Sequence, residues 1–188
     1  MSEAPDITVR PLWVFGYGSL IWNPGFPVAE TQLATLHGYS RSFCMSSIHH
    51  RGTVEHPGLV LALDPRHDTS CRGLGFRVPD EEADRTVRYL RERELISSAY
   101  VERLLPMVLD GGQEVTALVY VVDTQHEQYV ANLTLEDQAR IISTAVGGRG
   151  PNTEYLWNTA RHLAELGIGD TDLDWLARRV AELTGAPT

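Results

Sequence analysis

"WVFGYGSLIWNPGF", residues 13–26, decides how the rest of the chain is interpreted. Its first three residues are aromatic or β-branched, a composition typical of a buried strand. Gly16 and Gly18 follow two positions apart. Glycine lets the backbone turn sharply and lets another molecule come close to the main chain. The stretch therefore predicts a strand that runs into a loop whose amide groups are open to a ligand.

Length and charge restrict the class of protein. The chain has 188 residues, of which 43% are hydrophobic, enough for one core and too few for two ordinary domains. We expect one domain over 1–188, with residues 1–11 as an extended or disordered lead. The formal net charge of -9 argues against a general phosphate-binding surface, so we expect no nucleic-acid partner.

The cysteines and the N-terminal residues indicate the cellular compartment of the protein. Cys44 and Cys71 lack Cys-x-x-Cys spacing, which argues against a structural zinc site and against a disulfide framework. The first twelve residues have no basic segment followed by an apolar run, and no later segment has membrane-spanning length. We expect a cytoplasmic protein that has no membrane partner.

Strands come before helices along most of the chain. The patterns predict six strands: the opening one and 34–45, 58–64, 71–78, 100–109 and 114–123, with turns at Asp64-Pro65 and at Asp110–Gly112. They predict helices at 80–96, 134–146, 152–166 and 171–183, with Thr134, Asn152 and Thr171 as N-caps and Gly147 and Gly167 as stops. This order predicts an α+β fold, a small mixed β-barrel or curled sheet surrounded by helices.

One helix places a carboxylate on its apolar face. Ala83, Val87 and Leu90 step by four and three, and the next position on that face is Glu94. A desolvated carboxylate near a helix C-terminus is expected to have a raised pKa, which suits a group that carries protons. The alternative is that the helix ends earlier and Glu94 faces water or pairs with a nearby arginine.

Two other kinds of site are disfavoured. Ser19 lies among glycines, but a nucleophile elbow needs glycine at the positions that Tyr17 and Ile21 occupy, so a loop serine bonded to neighbouring backbone is the simpler interpretation. Loop histidines cluster at 49–56, yet no carboxylate or cysteine stands at metal-ligand spacing. We predict no metal and no cofactor.

An acidic ligand would need donors from a few basic and aromatic residues. Arg41 and Arg51 are candidates because a guanidinium presents a fork of donors to a carboxylate. Tyr17, Tyr100 and Tyr155 are candidates to line the site. The alternatives are an ordinary surface arginine and a partly buried packing tyrosine.

Several runs together resemble a known family. "VFGYGSLIWNPGF", "YSRSFC", "HRGT", "PGLVLAL", "RERELISSAY" and "NTEYLWNTARHLAELGI" occur in the order found in the ChaC-like γ-glutamylcyclotransferases, from about Trp13 to about Leu183. The resemblance implies an enzyme that cuts glutathione into 5-oxoproline and cysteinylglycine without a cofactor. It also implies that the catalytic glutamate is Glu94, which helix spacing singles out independently.

The implied chemistry gives each candidate residue a role. The substrate's own α-amine attacks its γ-carbonyl, so the protein must fold the substrate, stabilise charge on the carbonyl oxygen and move a proton. Loop amides at Tyr17, Gly18, Ser19 and Leu20 would hold the glutamyl carboxylate or carbonyl. Glu94 would carry the proton as general acid and base.

Two departures from the family pattern keep alternatives open. Residues 95–99 replace a glycine-rich segment that some members have, and Pro151 stands where a small or polar residue is more usual. Both positions are candidates to alter the range of substrates. One alternative is a cyclotransferase for other γ-glutamyl amino acids or amines, and another is a non-catalytic module that binds γ-glutamyl compounds.

Overall fold

A computed structural model gives the fold and describes residues 6–187. Its strands are β1 (Trp13–Gly16), β2 (Glu30–Ser47), β3 (Gly58–Arg77), β4 (Tyr100–Leu109), β5 (Glu114–Val122), β6 (Val146–Gly147) and β7 (Gly150–Pro151). Its α-helices are α1 (Ala83–Glu94), α2 (Leu135–Thr144), α3 (Asn152–Glu165) and α4 (Thr171–Thr184), and Ser19–Ile21 and Asp80–Glu82 form single 3₁₀ turns.

The longer strands close into a barrel in the order β1, β3, β2, β4, β5. β1 lies between β3, with which it pairs antiparallel, and β5, with which it pairs parallel. The register sets Trp13 opposite Arg77 on one side and opposite Ala117 on the other. β6 and β7 form a separate antiparallel pair. The predicted fold class, α+β with a mixed barrel, is confirmed.

The opening strand is buried along its whole length, as its composition predicts. Val14 and Phe15 are at most 1% exposed. Gly16 ends the strand where a Cβ atom would come within 2.7 Å of the Phe76 ring. Glycine is therefore needed here to let the ring close over the backbone before the loop begins.

The strand prediction was wrong at two places: β6 and β7 were not predicted, and two predicted strands form one. Residues 58–64 and 71–78 were expected to be separate strands with a turn at Asp64-Pro65, but both belong to β3, which continues through Pro65. Residues 65–70 are exposed, and proline is tolerated in a strand where its missing N–H would face solvent. Asp68 has a φ of 63°, a local bend that aspartate accepts more readily than most residues. The hairpin at Asp110–Gly112 is confirmed, since Gly112 N donates to Leu109 O at 2.8 Å.

Two of the three predicted N-caps were wrong. Thr134 is confirmed, because its side chain accepts from Asp137 N. Asn152 is instead the first residue of α3 after Pro151, and its amide bonds Leu59. Asp170, rather than Thr171, caps α4 by accepting from Leu173 N. Asp170 thus satisfies an orphan N–H group of α4, whereas Pro151 makes no side-chain cap bond and Asn152 N donates to Ala145 O at 2.9 Å.

Of the two predicted helix stops, one is confirmed and one was wrong. Gly167 follows α3 with a φ of 69° and is confirmed as a stop. Gly147 was wrong as a stop, because α2 ends at Thr144 and Gly147 pairs with Gly150 between β6 and β7. The close backbone approach at Gly147 explains the glycine instead.

The chain's internal contacts group into two compact units. One contains residues 6–39 and Pro65–Val121, and the other contains Ser40–Asp64 and residues 122–187. The single domain over 1–188 stays a prediction. Of the lead at 1–11, residues 1–5 lie outside the described residues, while 6–11 form no helix or strand and include the buried Ile7.

Candidate active site

The loop after β1 folds into a single 3₁₀ turn. Ile21 N donates to Gly18 O, and Asn23 N donates to Ser19 O, both at 2.9 Å. Tyr17 and Leu20 are buried, at 8% and 6% exposed, whereas Ser19 is half-buried. The loop therefore has a fixed shape, anchored by its apolar side chains.

Glu94 is the last residue of α1, and its side chain is 18% exposed. Ala83, Val87 and Leu90 are buried along the same helix, which agrees with the helical spacing. The carboxylate forms an ion pair with Arg93, with Oε1 at 3.2 Å from Nε. The guanidinium favours the ionised carboxylate while burial favours the neutral acid, so the raised pKa expected from the sequence stays a prediction.

Arg93 links the loop to the end of α1. Its Nη2 donates to Ser19 Oγ at 3.0 Å, and its Nη1 donates to Asn23 O at 2.6 Å and to the Tyr89 hydroxyl at 3.1 Å. Arg93 also pairs with Glu94, so one guanidinium contacts both Ser19 and Glu94. The sequence analysis missed Arg93, and the spacing of Tyr89 and Arg93 by four residues is the signal that places them on one helix face.

A second carboxylate in the same unit, that of Glu102, is half-buried. Glu102, 11% exposed, accepts from Arg91 Nη2 at 2.8 Å through Oε1 and from the Tyr120 hydroxyl at 2.9 Å through Oε2. Burial raises the pKa of Tyr120, and the charges of Glu102 and Glu94 raise it further. This network was not predicted, because it joins side chains of α1, β4 and β5 that come together only in the folded chain. Tyr100 begins β4 and is half-buried.

In the other unit the structure brings Arg51 and Tyr155 together. The Arg51 guanidinium lies 5.7 Å from the centroid of the Tyr155 ring. Its Nη1 donates to Pro151 O at 3.1 Å and reaches Glu154 Oε2 at 3.4 Å. The Tyr155 hydroxyl accepts from Leu61 N at 3.3 Å. These two predicted residues form one contact group.

Arg41 belongs to a different group. Its side chain is 4% exposed and forms an ion pair with Asp170, with Nη1 at 3.2 Å from Oδ2. Asp170 also caps α4, so Arg41 has a structural partner within the unit.

The loop that carries Arg51 is held by backbone contacts. Gly148 N donates to His49 O at 2.7 Å, and Arg149 N donates to His50 O at 2.9 Å. Burial, followed by the charge of Arg149, lowers the pKa of His50. At pH 7 this histidine is therefore largely neutral.

Asn152 fixes the end of that loop. The side chain is fully buried, accepts from Leu59 N at 2.7 Å and donates to Leu59 O at 2.8 Å. Next to Leu59, a Cβ on Gly58 would overlap Arg51 O. An asparagine expected to cap a helix instead substitutes for a strand partner.

Within residues 6–187, no group of three or more His, Cys, Asp or Glu side chains is arranged to hold a metal ion. The helices of the same residues include none that is long and apolar enough to cross a membrane. Cys44 and Cys71 are buried thiols.

Comparison with known proteins identifies the family. The profile of the ChaC-like proteins matches residues 12–183. The glutathione-specific γ-glutamylcyclotransferase of Escherichia coli (strain K12) is 35% identical over 173 residues, which cover 92% of this chain and 74% of that protein. The enzyme of the same name from Schizosaccharomyces pombe (strain 972) is 36% identical over 179 residues, 86% of this chain and 87% of that protein.

A solved structure agrees with the sequence relatives. The crystal structure of the yeast γ-glutamyl cyclotransferase specific to glutathione superposes with a TM-score of 0.83 at 25% identity, covering 91% of this chain and 96% of that one. The chain belongs to the ChaC-like family, as its motifs predict.

Proposed function

We propose that this chain is a γ-glutamylcyclotransferase that converts glutathione into 5-oxoproline and cysteinylglycine. The observation that carries the proposal is the family match over residues 12–183, with relatives of that name at 35% and 36% identity.

The reaction needs no oxidant or reductant. The α-amine nitrogen of the γ-glutamyl group forms a bond to the γ-carbonyl carbon, and the bond from that carbon to the cysteine nitrogen breaks. One proton leaves the amine and one reaches the departing nitrogen. The nucleophile belongs to the substrate, so the protein supplies position, charge stabilisation and proton transfer.

We assign the proton transfer to Glu94. Its side chain is only 18% exposed and lies at the end of a helix, beside Arg93. A general acid or base held in this way contributes a factor of about 10²–10⁴. The Arg93 guanidinium lies beside the carboxylate and favours its ionised form, which is the form that can accept a proton from the amine.

We assign binding of the γ-glutamyl end to the loop. Main-chain amides at Tyr17, Gly18, Ser19 and Leu20 would hold the carboxylate or the carbonyl oxygen, which requires close approach to bare backbone. The fixed 3₁₀ turn and the buried Tyr17 and Leu20 support this role, because a donor set must be rigid to stabilise a developing charge.

The remaining candidates are assigned to the substrate's acidic and peptide groups. Arg51, with Tyr155 under its guanidinium, is the preferred carboxylate donor. Arg41 is the second choice, since Asp170 already accepts from it, and Tyr100 is proposed to line the site.

We further propose that the reaction uses no metal or other cofactor, that the protein is cytoplasmic and that it has no nucleic-acid partner. The net charge of -9 supports the last point.

The test is incubation of the purified protein with glutathione, with 5-oxoproline and cysteinylglycine both quantified. We expect equal amounts of the two products, unchanged after exhaustive chelation. A parallel panel of γ-glutamyl amino acids and γ-glutamylamines gives the substrate preference. Release of 5-oxoproline from the panel but not from glutathione would replace the proposed substrate, and binding without any product would leave a binding module.

A further inference from the structure

We infer that Arg93 is a positioning residue that holds the ligand-binding loop and Glu94 in one fixed arrangement. The inference rests on the proposed function, but its geometry is independent of the substrate. It goes beyond Glu94 and the loop themselves, because Arg93 is assigned no contact with the reacting atoms.

The first observation is that every nitrogen of the guanidinium is engaged. Nε faces Glu94 Oε1 at 3.2 Å, and Nη2 donates to Ser19 Oγ at 3.0 Å. Nη1 donates to the carbonyl oxygens of Asn23 and Pro24 at 2.6 and 3.2 Å. The guanidinium is planar and rigid. Because each of its three nitrogens contacts an acceptor, it restricts the positions of those acceptors relative to one another.

The second observation is burial. The Arg93 side chain is 14% exposed, although it lies in the last turn of a helix whose Arg85 is 79% exposed. Ordering a long side chain costs conformational entropy, so a half-buried arginine needs several partners to remain in place. Here the partners are the loop and the proposed base.

The third observation is that Tyr89 completes the attachment one turn earlier. Its hydroxyl accepts from Arg93 Nη1 at 3.1 Å, and the same hydroxyl oxygen lies so near Gly25 that a Cβ there would overlap it. Gly25 has a φ of 75°, so both its conformation and the space around it require glycine. The loop is thus seated on one face of α1 by Tyr89 and Arg93 together.

The consequence for the reaction is geometric. A displacement of about 1 Å between a base and a bound substrate can cost about 10²-fold in rate. Glu94 is attached to α1, while the proposed oxyanion and carboxylate donors are attached to the loop. Arg93 is the side chain seen to bond both.

The experiment compares Arg93→Met and Arg93→Lys with wild type, with Arg85→Met as the matched control on an exposed position of the same helix. For Arg93→Met we expect kcat to fall about 10²-fold and to fall more than KM rises. Arg93→Lys keeps the charge beside Glu94 but loses the fork, so we expect an intermediate kcat. Arg85→Met should match wild type.

Hydrogen exchange gives a readout that does not depend on activity. We expect the Ile21 and Asn23 amides to exchange faster in Arg93→Met, while amides of α4 exchange at the wild-type rate. Adding Ser19→Ala to Arg93→Met should then cause no further loss of kcat, since the shared contact is already gone.

The outcomes separate this inference from the proposed function. A wild-type protein that releases no 5-oxoproline contradicts the function, and the exchange experiment still decides whether Arg93 fixes the loop. Normal kcat in folded Arg93→Met, or lost kcat with unchanged exchange at 21 and 23, contradicts the inference. If Arg93→Met does not fold, Arg93→Lys decides: a wild-type kcat in that variant contradicts the inference as well.

Discussion

The two loops that carry candidate residues are fixed by different means. Apart from its buried Tyr17 and Leu20 side chains, the loop after β1 is held by charged and polar groups, chiefly the guanidinium of Arg93. The loop that carries Arg51 is fixed by backbone hydrogen bonds, by closely packed glycines and by the buried amide of Asn152.

This difference suggests different consequences of mutation. A charged network beside the proposed base can be altered with little change in packing, so its loss should reduce turnover before stability. A backbone arrangement with fully buried partners has no such tolerance, because an unsatisfied buried group costs about 1–3 kcal/mol. The predictions below test this contrast.

The largest effect is expected at Glu94. Glu94→Gln keeps size and hydrogen-bonding capacity but cannot take a proton, so we expect kcat to fall at least ~10²-fold with glutathione affinity nearly unchanged. The melting temperature should not fall, since no cavity is made. The measurements are 5-oxoproline release, calorimetry with glutathione and a thermal scan.

Near-normal turnover of Glu94→Gln would remove Glu94 from the reaction. Loss of binding together with turnover would instead make it a residue that orients the substrate. Glu92→Gln, an exposed position on the same helix, is the control and should match wild type.

Gly18→Val tests whether the loop binds through bare backbone. A branched side chain would occupy the space proposed for the ligand, so we expect glutathione binding to be lost while the fold is retained. Gly111→Val is the control, because a Cβ at Gly111 meets no atom within 4 Å. Unchanged glutathione affinity in folded Gly18→Val would show that the loop is only a turn.

Much of this arrangement could be predicted from the sequence, for identifiable reasons. The strand before Gly16 and the helical phase of Glu94 depend on local periodicity, which neighbouring residues encode directly. The helix cap at Thr134 is equally local, because its partner is Asp137.

The features that could not be predicted depend on distant partners. Arg93 bonds residues about seventy positions away, and Asn152 bonds Leu59, so no local pattern reveals either contact. The predicted turn at Asp64-Pro65 was wrong for a related reason. Proline is acceptable inside β3 only because residues 65–70 are exposed, and the sequence does not reveal that exposure.

Arg41 and Arg51 are expected to have different roles, the first in stability and the second in substrate binding. Arg41→Ala removes one partner of a buried ion pair, and we expect about 3 kcal/mol of lost stability with little change in KM. Arg51→Ala should raise KM more than it lowers kcat, if Arg51 is the carboxylate donor. Denaturant unfolding and steady-state kinetics on both variants measure these effects.

If Arg41→Ala raised KM and Arg51→Ala lowered stability, the binding and structural roles of the two arginines would be exchanged. Unchanged KM in both variants would mean that backbone or other residues hold the substrate carboxylates. Arg161→Ala, an exposed position of α3, is the control for a general loss of positive charge.

Asn152→Ala should reduce stability by about 2 kcal/mol, because Leu59 N and O both lose a buried partner. We expect kcat per folded molecule to stay close to wild type. Asn158→Ala in the same helix is the control, and chemical denaturation gives the difference. Equal stability of the two variants would show that the amide of Asn152 does not hold the loop.

The smallest effect is expected at Ser98, four residues after Glu94. Ser98 has a φ of 56°, a conformation that costs most residues about 1 kcal/mol and glycine very little. Ser98→Gly also loosens the unfolded chain, which offsets part of the gain, so we expect a net increase in stability of about 0.5 kcal/mol. Asn132→Gly is the matched control, since Asn132 has a φ of 64° and asparagine tolerates it, so its gain in stability should be smaller.

The kcat of Ser98→Gly should be measured beside the thermal scans, and we expect it to be unchanged. A lower kcat in a stabilised Ser98→Gly would mean that the strained segment after α1 helps to place Glu94, and the contrast between the two loops would then extend beyond the Arg93 contacts.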